Sequence, residues 1–503
     1  MHLRTLAGLA FLAACTPFNQ HPGKGWTTDY GELWSPTQMV TTGEALYIPM
    51  PYTNRLLKLG QGSDAWEEVP LLRSTLDRVV ASPDGETVLV QMSGLDCPED
   101  VTTCADDEVS TWLGIVGDSA VRAWLPYSPA YDDLTFSADG RFAVATVDPD
   151  YTTVNTGLLN LTAVKVIDLV EATSWDVGVG FSTEEILFTT DDAGAVDGAV
   201  VLSRNEVAVV DLTVPSALPS VVFPLTLDAD SALLPVGVEL TPDGTTALIT
   251  VQNSADLYAL DLVNPSVNII SLVGAPSDMA VSTGNDQTVL VYGSRSKVEV
   301  LDHDSFDLET RDLEEPMTDI HLGEDFAFLY SRAGRLDTYR LDLVSGDLDE
   351  IRLAFPPART FVAPDNTFAL MLNNDTFAPR MELVDLRVDD GALISDDPVP
   401  FGLEGRGLDV AFTTDKTGST ALLLQQGVDA LVAVSFPELA LVEVPLPAPA
   451  RRIGAFSDGG FWIAHDDAAG LISFYRPGED LVSVGGFALH GFLNDNNVPL
   501  EVR

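Results

Sequence analysis

Ser82-Pro83-Asp84-Gly85, followed by Thr87-Val88-Leu89-Val90, is the stretch that decides how this chain folds. Proline presets one dihedral of a tight turn, and glycine accepts positive φ. The β-branched and apolar residues that follow suit a buried strand. The same turn recurs as Ser137-Ala138-Asp139-Gly140 and Thr241-Pro242-Asp243-Gly244, and more weakly as Ala363-Pro364-Asp365-Asn366 and Ser457-Asp458-Gly459. Degenerate copies fall near Gly43, Gly194, Gly284, Gly323 and Lys416.

A second mark alternates with the first: a strand of period two that ends in Asp. It runs Val164 to Leu169, Val207 to Leu212, Leu257 to Leu262, Val298 to Asp302, Thr338 to Leu343 and Met381 to Leu386, and Leu431 to Phe436 lacks the Asp. The turns return every 40–55 residues or so, the period of a four-stranded propeller blade. Each unit reads as strand A, Asp-Gly turn, strand B, loop, strand C, Asp turn, strand D. The fold class expected is therefore all-β, a β-propeller of four-stranded antiparallel blades, about seven to ten in number. About ten units fit between Glu32 and Arg503, above the usual four to eight. One large ring, two rings, or some units that are not blades all satisfy that count.

The repeats resemble bacterial propellers of the YVTN, LVIVD and lactonase-like (WD40-like) group, most clearly at Ser82 to Val90. That resemblance implies the fold over most of residues 32–503. The group includes enzymes, periplasmic scaffolds and surface proteins, so it implies no single function. The Tyr-Val-Thr-Asn tetrapeptide is absent, and lactonase catalytic residues have no matching positions here.

The chain opens with Arg4 and an apolar run, Leu6 to Ala14, too short to span a bilayer and of the form of a secretion signal. Leu12-Ala13-Ala14-Cys15 resembles a bacterial lipobox. The resemblance implies removal of residues 1–14 and lipidation of Cys15, with residues 15–31 as a tether between lipid and propeller. An ordinary signal peptide with a chance cysteine is the rival. Thr16, not Asp, follows the cysteine, which by resemblance to enterobacterial sorting implies the outer membrane. The expected address is the bacterial cell envelope, with membrane contact through the lipid only. Cys97 and Cys104 remain, in an acidic loop, and are expected to form a disulfide in an oxidising compartment; a two-thiol metal site is the alternative.

Formal charge is −50, from 76 acidic and 26 basic residues. So acidic a surface repels nucleic acid and anionic headgroups, and neither is an expected partner. Antiparallel blades place A–B and C–D turns on one rim, and B–C loops and D–A connections on the other. Loops carry function more often than scaffold turns do, so a site belongs on the second rim. There the scarce arginines gather: Arg295, Arg332 and Arg335 in B–C loops, Arg359, Arg406, Arg451 and Arg452 in D–A connections. They are candidates for gripping an anionic ligand or acidic partner segment, since guanidinium forks match carboxylates. The plainer alternative pairs them with Asp278, Asp319 and Asp409. Acidic loops with Asp96, Asp100, Asp148 and Asp150 invite a calcium reading, although no spaced calcium-loop pattern is present. Histidine is scarce; His465, beside Asp466 and Asp467, is the best single candidate for acid–base or metal chemistry, and joins the arginines as a candidate ligand- or partner-binding residue.

The sequence contains no His-Glu-x-x-His, phosphate-cradling loop or Gly-x-Ser-x-Gly elbow. The expectation is a non-enzymatic, lipid-anchored envelope propeller without a cofactor. It would offer its loop face to an envelope protein, peptide or glycan. A lactonase-like or other hydrolase with its site at the channel mouth is the alternative.

Overall fold

The computed structural model describes residue 34 and residues 38–487, apart from residues 94–110, 148–161, 226–233 and gaps of one to three residues. The signal segment, the tether, Cys15, Cys97, Cys104, Asp96, Asp100, Asp148 and Asp150 lie outside the described residues.

Ten four-stranded antiparallel sheets follow one another along the chain. They occupy residues 40–69, 75–126, 133–178, 183–224, 235–271, 278–312, 319–352, 359–402, 407–445 and 450–485, here blades 1 to 10. Strands pair in sequence order within every blade; blade 8 adds a two-residue hairpin, Val388–Asp389 with Ala392–Leu393, between strands C and D. The expected count of units is met in full, and the question of one ring or two is answered by packing.

Strand B of each blade has a neighbouring blade on both faces, so it reads as an unbroken apolar run. Phe368–Leu372 of blade 8 (FALML) is buried throughout. Strand D, at the outer edge, is mostly exposed, as in Ala440–Pro445 of blade 9. Ten apolar clusters fill the wedges between blades. Nine join consecutive blades, for example Phe368, Leu370 and Leu383 of blade 8 with Ala421, Leu423 and Val434 of blade 9. The tenth joins Leu46, Ile48 and Leu57 of blade 1 to Trp462, Ile472 and Phe474 of blade 10. The molecule is thus one closed ring of ten blades.

No strand is shared across that closure. Blade 1 is built wholly from the start of the ring and blade 10 wholly from its end. The two flanking aromatics close the seam instead. Trp34, before blade 1, meets Phe487, after blade 10, edge to face at 5.1 Å, and Trp66 meets Phe487 at 6.3 Å. Hydrogen bonds add to the seam: Arg476 donates to the Gln61 side chain at 3.2 Å, and Trp34 Nε1 donates to the Asp467 carbonyl at 3.3 Å.

The A–B turn is a small network. In blade 3 the Ser137 hydroxyl donates to Asp139 at 2.6 Å and accepts the Phe142 amide at 2.9 Å, while Asp139 accepts the Arg141 amide at 3.1 Å. Thr241 and Asp243 repeat this in blade 5. So Ser or Thr, Asp and Gly each have a separate task, and Gly140 takes φ +67°. Turns of adjacent blades also touch: a Cβ on Gly140 would stand 2.0 Å from the Asp84 carboxylate. Gly140→Ala is therefore expected to cost about 1–3 kcal/mol from the left-handed backbone alone, with more from the clash. A urea melt that leaves the midpoint unchanged would refute this.

The C-strand Asp closes the C–D turn by accepting amides two and three residues on: Asp342 accepts Val344 at 3.1 Å and Ser345 at 2.8 Å. These bonds favour the ionised form and hold the Asp261 and Asp302 carboxyls below their ordinary range.

Candidate functional site: the loop face over blades 7 and 8

The B–C loops and D–A linkers share one rim, as the antiparallel order requires. The linkers are held down by a repeated device. In each of blades 6 to 10, a long polar side chain from strand B or C reaches the linker that leads into its own blade. Glu299 accepts the Val273 amide at 3.2 Å, and Tyr339 accepts the Glu314 amide at 2.9 Å. Glu382 accepts the Ala354 amide at 2.9 Å, and Gln425 accepts the Glu404 amide at 3.1 Å. In blade 10 the residue is His465, whose Nδ1 donates to the Ala448 carbonyl at 2.7 Å.

This gives His465 a structural place. It ends strand B at 1 % exposure, and its Nε2 takes the Ser473 hydroxyl at 2.7 Å. Burial holds its imidazole below the usual histidine range, so it stays neutral with both nitrogens engaged. Its position is inside the blade, out of reach of a partner on the loop face.

The arginines spread over five blades. Arg295 is exposed and covers Gly274 of the linker into blade 6. Arg359, Arg451 and Arg452 stand in the A strands themselves rather than ahead of them; Arg406 directly precedes one. Arg359 donates to the Leu408 carbonyl of blade 9 and lies over the Phe361 ring. Arg452 covers the Trp462 ring and reaches Met39 across the seam. The pairing alternative holds in part among the described residues: Arg332 meets Asp319 at 3.0 Å and also feels the charge of Asp278, and Arg452 feels that of Asp409. Asp278 instead accepts the Ile320 amide of the next blade at 2.7 Å.

Arg332 also borders a cleft of about 520 Å³ between blades 7 and 8. Its floor is the linker Phe355-Pro356-Pro357-Ala358, and it is also lined by Asn373 of the B–C loop of blade 8 and by Arg380, the first residue of that blade's strand C. The two prolines leave the floor rigid and short of N–H donors. Beside the cleft, Phe377 is 98 % exposed. Asp375 fixes that loop by accepting the Phe377 amide at 2.8 Å and the Ala378 amide at 3.2 Å. Arg380 and Phe377 were not singled out from the sequence. The signal was an aromatic and an arginine flanking the polar Asn373-Asn374-Asp375 loop. The remaining arginines do not line this cleft.

A second cavity, of about 270 Å³, lies along inner strands of blades 4 to 6 and is bordered by Glu185, Glu239 and Asp278. Among the described residues no three His, Cys, Asp or Glu side chains are placed to hold a metal ion. Burial, and then the charges of Glu185 and Asp278, push the Glu239 carboxyl up to about 7. The folded state keeps this proton where the unfolded chain, at 4.5, has lost it. The group's stability contribution is full below pH 4.5 and lost as pH rises through 7. Glu239→Gln should therefore stabilise the ring at pH 8 by roughly 3–3.5 kcal/mol, at about 1.4 kcal/mol per pKa unit from 4.5 to about 7, and far less at pH 5. Thermal melts that show the same difference at both pH values would contradict it.

No known family profile matches the chain, and no curated protein matches it in sequence. The fold is similar to solved propellers. A eukaryotic initiation factor shares 11% identity over 72% of this chain and 87% of its own, with a TM-score of 0.47. The WD40 domain of Neurospora crassa Pan2 shares 12% over 58% and 85%, with a TM-score of 0.35. The dihydro-heme d1 dehydrogenase NirN shares 14% over 71% and 81%, with a TM-score of 0.39. The likeness is one of fold.

Proposed function

We propose that this chain is a non-enzymatic, lipid-anchored propeller of the bacterial cell envelope that holds a protein partner on its loop face. The β-propeller is compatible with a protein-binding scaffold, and one observation supports the site: Phe377, almost wholly exposed, beside a cleft that carries Arg332 and Arg380. A fully solvated phenylalanine favours burial against a partner by about 1.5–3 kcal/mol. In a chain of charge −50, two guanidiniums in one cleft suit a partner segment bearing carboxylates. Aromatic and arginine residues of this kind anchor protein interfaces.

Photo-crosslinking from position 377 in native envelopes tests the partner reading, and a single reproducible adduct is the expected result. The anchor is tested separately. Cys15→Ser should move the protein from the detergent phase to the aqueous phase in a cloud-point partition. Detergent-phase protein in that variant would sink the lipid reading and leave the cleft untouched.

A further inference from the structure

The ten outer strands differ in how they treat their free edge. An exposed edge invites another strand, and charge, proline or short length discourages it. Trp66–Val69, Val121–Pro126, Thr173–Gly178, Leu308–Asp312 and Leu348–Arg352 carry charged side chains. Val221–Pro224, Val399–Gly402 and Ala440–Pro445 contain proline, and Val482–Gly485 has only four residues. Ser266–Ser271 of blade 5, Ser-Val-Asn-Ile-Ile-Ser, has six residues with neither charge nor proline.

Its backbone direction follows from one bond. Leu272 donates to the Ala255 carbonyl at 2.7 Å, so residue 272 faces inward. The register sets Ile270 opposite Leu257 and Asn268 opposite Ala259. Antiparallel alternation then turns Ile270, Asn268 and Ser266 inward. Val267, Ile269 and Ser271 present their N–H and C=O groups outward. The side chains of Val267 and Ile269 share one face and are 50% and 56% exposed.

We propose that this edge pairs with the same strand of a second copy of the chain. The partner it needs is extended, uncharged and apolar at alternate positions, and Ser266–Ser271 itself meets that description. A two-fold axis at Ile269 sets Ile269 against its copy and Val267 against Ser271. All three outward residues then bond, giving six N–H···O=C bonds. No side chain in the strand is charged; the opposing charge comes from Asp256 and Asp261, one strand back opposite Ser271 and Ser266, and from the net −50 of each copy. Salt therefore strengthens the dimer: the Debye length falls from about 8 Å at 0.15 M to about 3 Å at 1 M.

Sedimentation velocity on the whole chain at both salt concentrations tests this, up to about 100 µM, with the affinity read from the dimer fraction. The expected result is a monomer–dimer equilibrium that tightens with salt. Ile269→Pro should weaken it at least about tenfold, since proline on the outward side of an edge strand removes no bond to strand C. Its melting temperature should match that of the unchanged chain. Ile269→Lys sets like charges opposite each other and should also give monomer. A chain that stays monomeric at high salt, or a dimer that persists in both variants, overturns the proposal. So does a strand of another protein found pairing there.

Discussion

Phe487→Ala is expected to destabilise the ring by about 3–5 kcal/mol, the range for removing a buried phenylalanine. Phe487 is 1 % exposed and is the ring that both Trp34 and Trp66 face. Its loss matters more here than at an interior wedge. Consecutive blades are tied by a covalent linker, whereas blades 1 and 10 have neither a linker nor a shared strand between them. Side-chain packing and a few hydrogen bonds hold it. A matched control is Phe223→Ala in the wedge of blades 4 and 5, where covalent continuity keeps the blades adjacent. The seam variant should show early exchange of amide hydrogens in blades 1 and 10 together; the control should not. Equal loss of protection in the two variants would mean that the seam is no weaker than any other wedge.

Arg380→Glu with Phe377→Ala is the change with the largest expected effect on binding. Truncating an aromatic anchor costs about 2 kcal/mol or more at a hot spot. Reversing a charge that meets a carboxylate costs about 2–5 kcal/mol. Together they should lower affinity for the acidic partner by at least about a hundredfold. Neither side chain is packed into the blade: Phe377 is solvated, and Arg380 is exposed at the start of strand C, where its backbone amide donates to the Asn373 side chain at 2.8 Å. The melting temperature should therefore stay within a degree or two, at surface-substitution costs of about 0.5 kcal/mol. Arg295→Glu, on blade 6 and away from the cleft, should change affinity little. A double variant that binds as tightly as the unchanged chain would remove the cleft from the account.

The blades were legible because each carries two local signals. Ser82-Pro83-Asp84-Gly85 marks where strand A turns into strand B, and Asp261 marks where C turns into D. Both are short-range chemistry and survive in the sequence. The number of rings was not legible, because closure depends on Trp34 and Phe487, which are separated by nearly the whole chain and follow no repeat. His465 reads in sequence as a loop histidine beside two aspartates. In space it is one of five linker clamps, alongside Glu299, Tyr339, Glu382 and Gln425. These share a position but no residue type, so no pattern announces them. The arginines were legible as a group on one rim, but not which of them converge. Arg359 and Arg452 are held by carbonyls beyond their own blades and by aromatic rings within them, whereas Arg332 and Arg380 line one cleft with the Pro356-Pro357 linker.

The most direct test of the central claim places a photoreactive residue at position 377 or at position 344 in native envelopes. Val344 is 71 % exposed on the opposite rim, in the C–D turn of blade 7, and serves as the matched control. One partner crosslinked from 377, absent from 344 and lost on Arg380→Glu, is the predicted result. No adduct at 377, or the same adducts from both faces, would contradict a binding site on the loop face.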